Sequence, residues 1–232
     1  MSCSSCTSSS CVRRVPVFKG LSDSEIHQIE SIVESNVYDK GTFVFREGEK
    51  SDSLFVLNEG LIKLTQNSSD GKEHIIRFLF PGDYFGQFAL LQNKQNYVNA
   101  EMIETGTVCH LHRQHFIPLL ERNTTMAYNF ILSMSEQLHH AEDWAAALHM
   151  LEVDKRLAKI LLYFRSKDSS NNKVKLPASK KEIAAMMGTT AETLSRKLKQ
   201  FEELNLILVN RRVIHILDLE VLVNMSGEAH PK

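Results

Sequence analysis

The chain has 232 residues, 43% hydrophobic and 24% charged, which suits one large or two small folded domains. Its 28 acidic and 27 basic side chains leave a net charge of −1, excluding a uniformly basic nucleic-acid coat and a disordered acidic chain. No apolar run reaches the ~20 residues of a membrane-spanning helix, and the Ser- and Cys-rich start lacks the apolar stretch of a secretory signal. The expected location is the cytoplasm, with no membrane partner.

In chain order, residues 1–15 read as a tail in which Cys3, Cys6 and Cys11 crowd together. The fourth cysteine, Cys109, comes 98 residues after Cys11. In a reducing cytosol, clustered cysteines serve more often as metal ligands or redox switches than as structural disulfides.

Residues 16–115 read as a sheet domain. Short apolar strands are predicted at residues 42–45, 54–57, 61–65, 74–80, 98–102 and 107–111, separated by turns such as Asn58-Glu59-Gly60 and Pro81-Gly82-Asp83. Regular short strands with Gly turns predict an antiparallel sandwich or barrel.

Residues 116–150 read as a helical segment. Between Thr125 and Met150 there is no Gly or Pro, and Ala127, Ile131, Met134, Leu138, Ala141, Ala145 and Leu148 follow 4-3 spacing. That is a three-heptad apolar seam of the kind that pairs helices, so a homodimer is expected. A shifted frame through Phe130, Met134, Gln137, Ala141, Trp144 and Leu148 also fits, but it carries a polar Gln.

Residues 151–232 hold 15 basic and 10 acidic side chains, whereas residues 1–150 hold 12 and 18. Only the C-terminal third is therefore suited to a polyanion. After a helix at residues 154–164 and a polar loop at 167–175, Ser179 can cap a helix over Ile183, Ala184 and Met187. Gly188 can turn the chain, and Thr190 can cap a second helix over Leu194, Leu198 and Phe201. Two short helices joined by a Gly turn form a helix-turn-helix, whose second helix enters the major groove. Glu192, Ser195 and Arg196 share its outer face and can meet base edges. Lys180, Lys181, Lys197 and Lys199 are placed for phosphates. The downstream residues 206–216 read as a β-hairpin, which makes a winged helix. The bland alternative is a helical hairpin with a solvated charged face.

This order of elements resembles the cyclic-AMP receptor and FNR-type family of bacterial transcription regulators, over nearly the whole chain. The string Ile183 to Arg196 and the Pro81-Gly82-Asp83-Tyr84-Phe85-Gly86 turn carry the likeness. The resemblance implies an α+β chain: an N-terminal antiparallel β-roll, a long dimerisation helix and a C-terminal winged helix-turn-helix. The cyclic-nucleotide branch has Glu where Gln87 stands and an Arg-Ser pair near Tyr97-Val98, so no cyclic nucleotide is expected. The FNR branch matches better, with Glu, Ser and Arg in the spacing of Glu192, Ser195 and Arg196. It implies double-stranded DNA with inverted TTGAT-like half-sites, and it leaves direct contact with RNA polymerase open.

FNR-type proteins carry an oxygen-labile [4Fe–4S] cluster on three N-terminal cysteines and one in the β-roll. The resemblance implies that role for Cys3, Cys6, Cys11 and Cys109, although four residues separate Cys6 from Cys11 where the FNR pattern has five. The residues themselves leave open a Cys11–Cys109 disulfide switch and a structural zinc held by all four cysteines. A haem site on His110, His112, His115, His139 or His140 is the weaker reading, since alternating His on a strand usually marks a solvated face. No phosphate loop, dinucleotide fingerprint or nucleophile elbow points to an enzyme.

Overall fold

The computed structural model describes residues 9–69, 71–167 and 172–227, so Cys3 and Cys6 lie outside the described residues. It divides into two compact units, Met1–His139 and His140–Lys232.

The first unit opens with α1 (Ser9–Arg14), a 3-10 turn (Pro16–Phe18) and α2 (Asp23–Ile32). A capping box starts α2: Glu25 N–H donates to Ser22 Oγ at 3.4 Å, and Ser22 N–H donates to Glu25 Oε2 at 2.7 Å. Then come β1 (Glu34–Tyr38), β2 (Phe43–Phe45), β3 (Ser53–Asn67), β4 (Glu73–Leu79), β5 (Tyr84–Phe85), α3 (Gln87–Gln92), β6 (Asn99–His112) and α4 (Arg113–Arg122). The sheet runs β1-β6-β3-β4, with β2 also on β6 and β5 on β3, all antiparallel. This is the β-roll that the family resemblance implies.

The strands are longer than predicted. Asn58-Glu59-Gly60 is not a turn, and residues 98–102 and 107–111 are not separate strands. Instead β3 and β6 run through, and their register slips on both sides of Glu59. The cause is a pair of glycines. Gly60 sits at φ +92°, and a Cβ on Gly106 would lie 2.0 Å from the Glu59 carbonyl oxygen. Here Gly marks a bulge and a close backbone approach, not a reversal of the chain.

Side chains alternate along these two strands. Leu54 and Val56 of β3, with Cys109 and Leu111 of β6, face a core shared with α1, α2 and α4. Phe55 and Leu57, with Val108, face the interior of the roll. Both faces are buried, so the sequence reads as a continuous apolar run.

Helix α5 (Thr124–Met150) crosses the boundary between the units. Residues 116–122, expected to open the long helix, belong instead to α4. Asn123 separates the two helices: it is extended, and its Oδ1 accepts the Met126 N–H at 2.9 Å.

The second unit continues with α6 (Val153–Lys167), β7 (Lys173–Lys175), α7 (Lys180–Met186), α8 (Ala191–Glu203), β8 (Ile207–Asn210), β9 (Val213–Ile216) and α9 (Leu219–Ser226). The sheet order is β7-β9-β8. Strand β7 falls in the predicted polar loop. Val174 is fully buried between two lysines and pairs with Ile214. Three residues are too few for a period to show in the sequence.

Candidate nucleic-acid interface and cysteine site

Helix α7 starts at a second capping box. Glu182 N–H donates to Ser179 Oγ at 3.3 Å, and Ser179 N–H donates to Glu182 Oε2 at 3.0 Å. Ile183, Ala184 and Met186 are buried, and Met187 ends the helix. Gly188, at φ +63°, makes the turn. Thr190 then caps α8, its Oγ1 accepting the Thr193 N–H at 3.1 Å. Leu194, Leu198 and Phe201 anchor the inner face of α8.

The opposite face carries Glu192, Ser195 and Arg196, all exposed, as spacings of three and four require. Lys180, Lys181 and Lys199 are exposed as well. Lys199 lies 3.7 Å from Glu203. Lys197 is different: only 23% of its side chain is exposed, and its Nζ lies 3.7 Å from Asp154 and 3.2 Å from Gln200. It leans toward α6 more than outward. Strands β8 and β9 form the wing, tied to α8 where Val209 N–H donates to Glu202 Oε1 at 2.7 Å. Sequence reasoning missed Arg211, which sits exposed at the wing tip at φ +55°. Its neighbour Arg212 folds back, donating to the Leu176 and Pro177 carbonyls at 3.3 and 3.1 Å. The tight Asn210–Arg212 turn was the available signal for Arg211.

Helix α5 has two unlike faces. Met126, Phe130 and Ser133 are buried in the first unit. On the predicted seam, Ile131 and Leu138 are 64% and 60% exposed. Ala141 and Ala145 are exposed too, and Ala127 and Leu148 are half-buried. Met134 departs from the seam and packs against the core that holds Cys11 and Cys109. The shifted frame is turned inward at its start. Phe130 is buried, and Gln137 Oε1 accepts from Arg77 at 3.4 Å and Gln87 at 3.2 Å.

Cys11 and Cys109 meet in the first core, each 2% exposed and reduced. Cys109 reaches it by strand alternation, and α1 packs Cys11 over that face. The Cys11 thiol is held below the ordinary cysteine range, chiefly by its hydrogen bond with Cys109. Burial opposes this, the N–H groups of Val12 and Cys11 assist it, and the Glu30 carboxylate opposes it. Cys109 Sγ also lies 3.9 Å from Ser35 Oγ. The space beside the two sulfurs is about 10 Å³ and apolar, walled by Val12, Phe18, Val33, Val56 and Leu111.

The roll positions that differ from the cyclic-nucleotide pattern have other partners. Gln87 bonds Gln137, Val98 is in the roll core, and Tyr97 packs edge-on against Phe88 at 5.1 Å between ring centroids. Alternating His on β6 is not a solvated face. His110 meets the Phe55 ring at 4.8 Å, and its Nε2 lies 3.1 Å from Tyr38 Oη. Its pKa is pushed down to about 4, first by burial and then by His112, against the pull of Glu34. His112 sits 2.9 Å from Ser53 Oγ. Among the described residues, no three Cys, His, Asp or Glu side chains gather as a metal site.

A β-roll, a long helix with an apolar outer face and a winged helix-turn-helix together define a DNA-binding transcription regulator. Residues 35–123 match the cyclic nucleotide-binding domain family and residues 155–225 match the Crp-like helix-turn-helix domain family, about two thirds of the chain between them. The chain belongs to the Crp/Fnr family, whose members are dimeric DNA-binding transcription regulators, not enzymes. It is 29% identical over 211 residues to the probable transcriptional regulator flp of Lacticaseibacillus casei, covering 91% of this chain and 95% of that one. It is 26% identical over 217 residues to the fumarate and nitrate reduction regulatory protein of Yersinia pestis, covering 91% and 86%. Among solved structures, FixK2 from Bradyrhizobium japonicum superposes with a TM-score of 0.77 at 24% identity, covering 87% of this chain and 100% of that one. Among the described residues no helix is long and apolar enough to cross a membrane.

Proposed function

We propose that this regulator binds inverted-repeat DNA of TTGAT-like half-sites as a two-fold dimer, and that the redox state of its cysteines sets its affinity for that DNA. Glu192, Ser195 and Arg196 read base edges, and Lys180, Lys181, Lys199 and Arg211 hold phosphates, with Lys197 in a lesser part. The exposed seam residues Ile131, Leu138, Ala141 and Ala145 pair the long helices. The roll is a frame without a cyclic nucleotide, since Gln87 and Tyr97-Val98 offer neither the carboxylate nor the cation that branch uses.

One observation carries the redox reading: Cys11 and Cys109, far apart in sequence, touch in a buried core. That core also holds Met126 and Phe130 of α5. A close-packed core transmits a shift at α1 to the long helix. Oxidation by peroxide would join the two sulfurs, the thiols giving up two electrons and two protons as peroxide becomes water. The bond draws the sulfurs to about 2.05 Å and moves α1 toward β6.

A [4Fe–4S] cluster on Cys3, Cys6, Cys11 and Cys109 is the second reading. Three cysteines in the first eleven residues favour it, as do the FNR resemblance and the similarity to the Yersinia fumarate and nitrate reduction regulator. Thiolates are suitable donors for it. The packing suits it less: the cavity that Cys11 and Cys109 line takes one water at most. As packed, these two residues fit a thiol pair.

The test is Cys→Ser at each of the four positions, in protein purified without air. The thiol pair predicts that only Cys11→Ser and Cys109→Ser abolish the response of DNA binding to oxidant, with no bound iron. Stoichiometric iron and sulfide, lost from all four variants alike, replace the thiol pair with the cluster. Oxygen-insensitive zinc removes both readings. Separately, Leu138→Glu should yield monomers in sedimentation, because two carboxylates would meet at the axis; an unchanged dimer discards the seam.

A further inference from the structure

A cleft of about 360 Å³ lies between α2 and α4 of the first unit, apart from the cysteine cavity. Small-molecule pockets begin at roughly 300 Å³. Facing rows build it. Glu25, Ile29 and Ile32 come from one side of α2, and His115, Leu119 and Arg122 from one side of α4, at spacings of three and four. Met126 of α5 closes one end. The floor is therefore aliphatic, and its rim is polar.

The rim's charges are not equivalent. Glu25 is held by three hydrogen bonds: its Oε2 accepts from Ser22 N–H and Oγ–H at 2.7 and 2.6 Å, and its Oε1 accepts from the Asn123 side chain. Both of its oxygens are thus already bonded within the protein, with one acceptor site left on Oε1. Arg122 is exposed and makes no hydrogen bond or ion pair with any described residue. Its guanidinium is the uncommitted charge in the cleft, and a planar fork of donors matches a carboxylate.

We propose that this cleft binds a short aliphatic monocarboxylate, with its carboxylate on Arg122 and its tail over Leu21, Ile32 and Leu119. The accessible apolar lining is the branched side chains of Leu21, Ile32 and Leu119, with His115 its one aromatic ring, which favours a chain over an aromatic acid. The volume limits that chain to a medium length.

The experiment is calorimetric titration of the full-length protein with sodium octanoate, beside octan-1-ol and octylamine. Octanoate should bind saturably, one per chain. Arg122→Gln should weaken it about tenfold or more, since the charge-assisted pair is lost. Leu119→Trp should fill the cleft and abolish binding, and Gln28→Trp at the exposed rim gives the same block if the first variant fails to fold. No saturable binding at millimolar octanoate overturns the proposal. So does octanol or octylamine binding as tightly as octanoate, or octanoate binding that survives both the Arg122 and the blocking substitutions.

Discussion

The two units build their candidate sites in opposite ways. In the second, the candidate base-reading residues Glu192, Ser195 and Arg196 are exposed, lie within five positions, and are aligned by helix geometry alone. In the first, Cys11 and Cys109 are buried and come together only because α1 packs over the odd-numbered face of β6. A local site depends on a turn and two caps. A non-local site depends on the whole sheet. The first unit should therefore couple its chemistry to its packing, while the second can lose a contact without losing its shape.

The sharpest break of that comparison is Arg196→Ala. Its side chain is exposed and supports none of the buried contacts of α8, so stability should stay within about 0.5 kcal/mol. Discrimination at one base position should fall by about 1–3 kcal/mol, measured by competition binding with single-base variants of the half-site. Oxidation of the cysteines should proceed as before. A variant that keeps its base preference would remove Arg196 from the interface.

The first unit should instead show a strong pH dependence. His110 is held neutral in the roll, its pKa lowered from 6.5 to about 4. Between those values the unfolded chain binds a proton that the folded roll refuses, so stability is present above about pH 6.5 and is lost as pH falls toward 4. At pH 5 the loss should be about 2 kcal/mol. His110→Phe should flatten that slope in urea unfolding at pH 7.5 and 5. An equally steep slope in the variant would assign the pH sensitivity to other groups.

The same contrast explains what could be read from the sequence. The winged helix, its caps and its candidate reading face follow from residues a few positions apart, so each is visible in Ser179, Gly188, Thr190 and the apolar spacing between them. The roll was visible as a class, but its strand lengths were not. Gly60 looks like a turn until Gly106, forty-six positions away, is seen to need the same space. Helix α2 is legible in the Ser22-Glu25 capping pair. His110 looked solvated because the sequence does not reveal that both faces of β6 are covered. Met134 kept the seam's spacing yet packs inward, since a helix between a core and a partner serves both with one period. The pairing of Cys11 with Cys109 could be named from residue type, but their contact needed the topology.

The smallest effect tests the local side of the comparison. Thr190 holds the start of α8 with its Oγ1, accepting the Thr193 N–H at 3.1 Å and donating to Thr193 Oγ1 at 3.0 Å. Removing the hydroxyl leaves one backbone donor without its side-chain acceptor at an exposed helix end, where water replaces it. Thr190→Ala should therefore cost about 1 kcal/mol in the second unit. Thr190→Ser should recover most of it, because the oxygen returns without the methyl group. Hydrogen exchange is the right measurement, since it can be read separately in each unit. Amides of α8 should lose protection, and those of β3 and β6 should not. Matching losses in the strands would show that the two units unfold as one, and the division between a local and a non-local site would no longer describe the molecule.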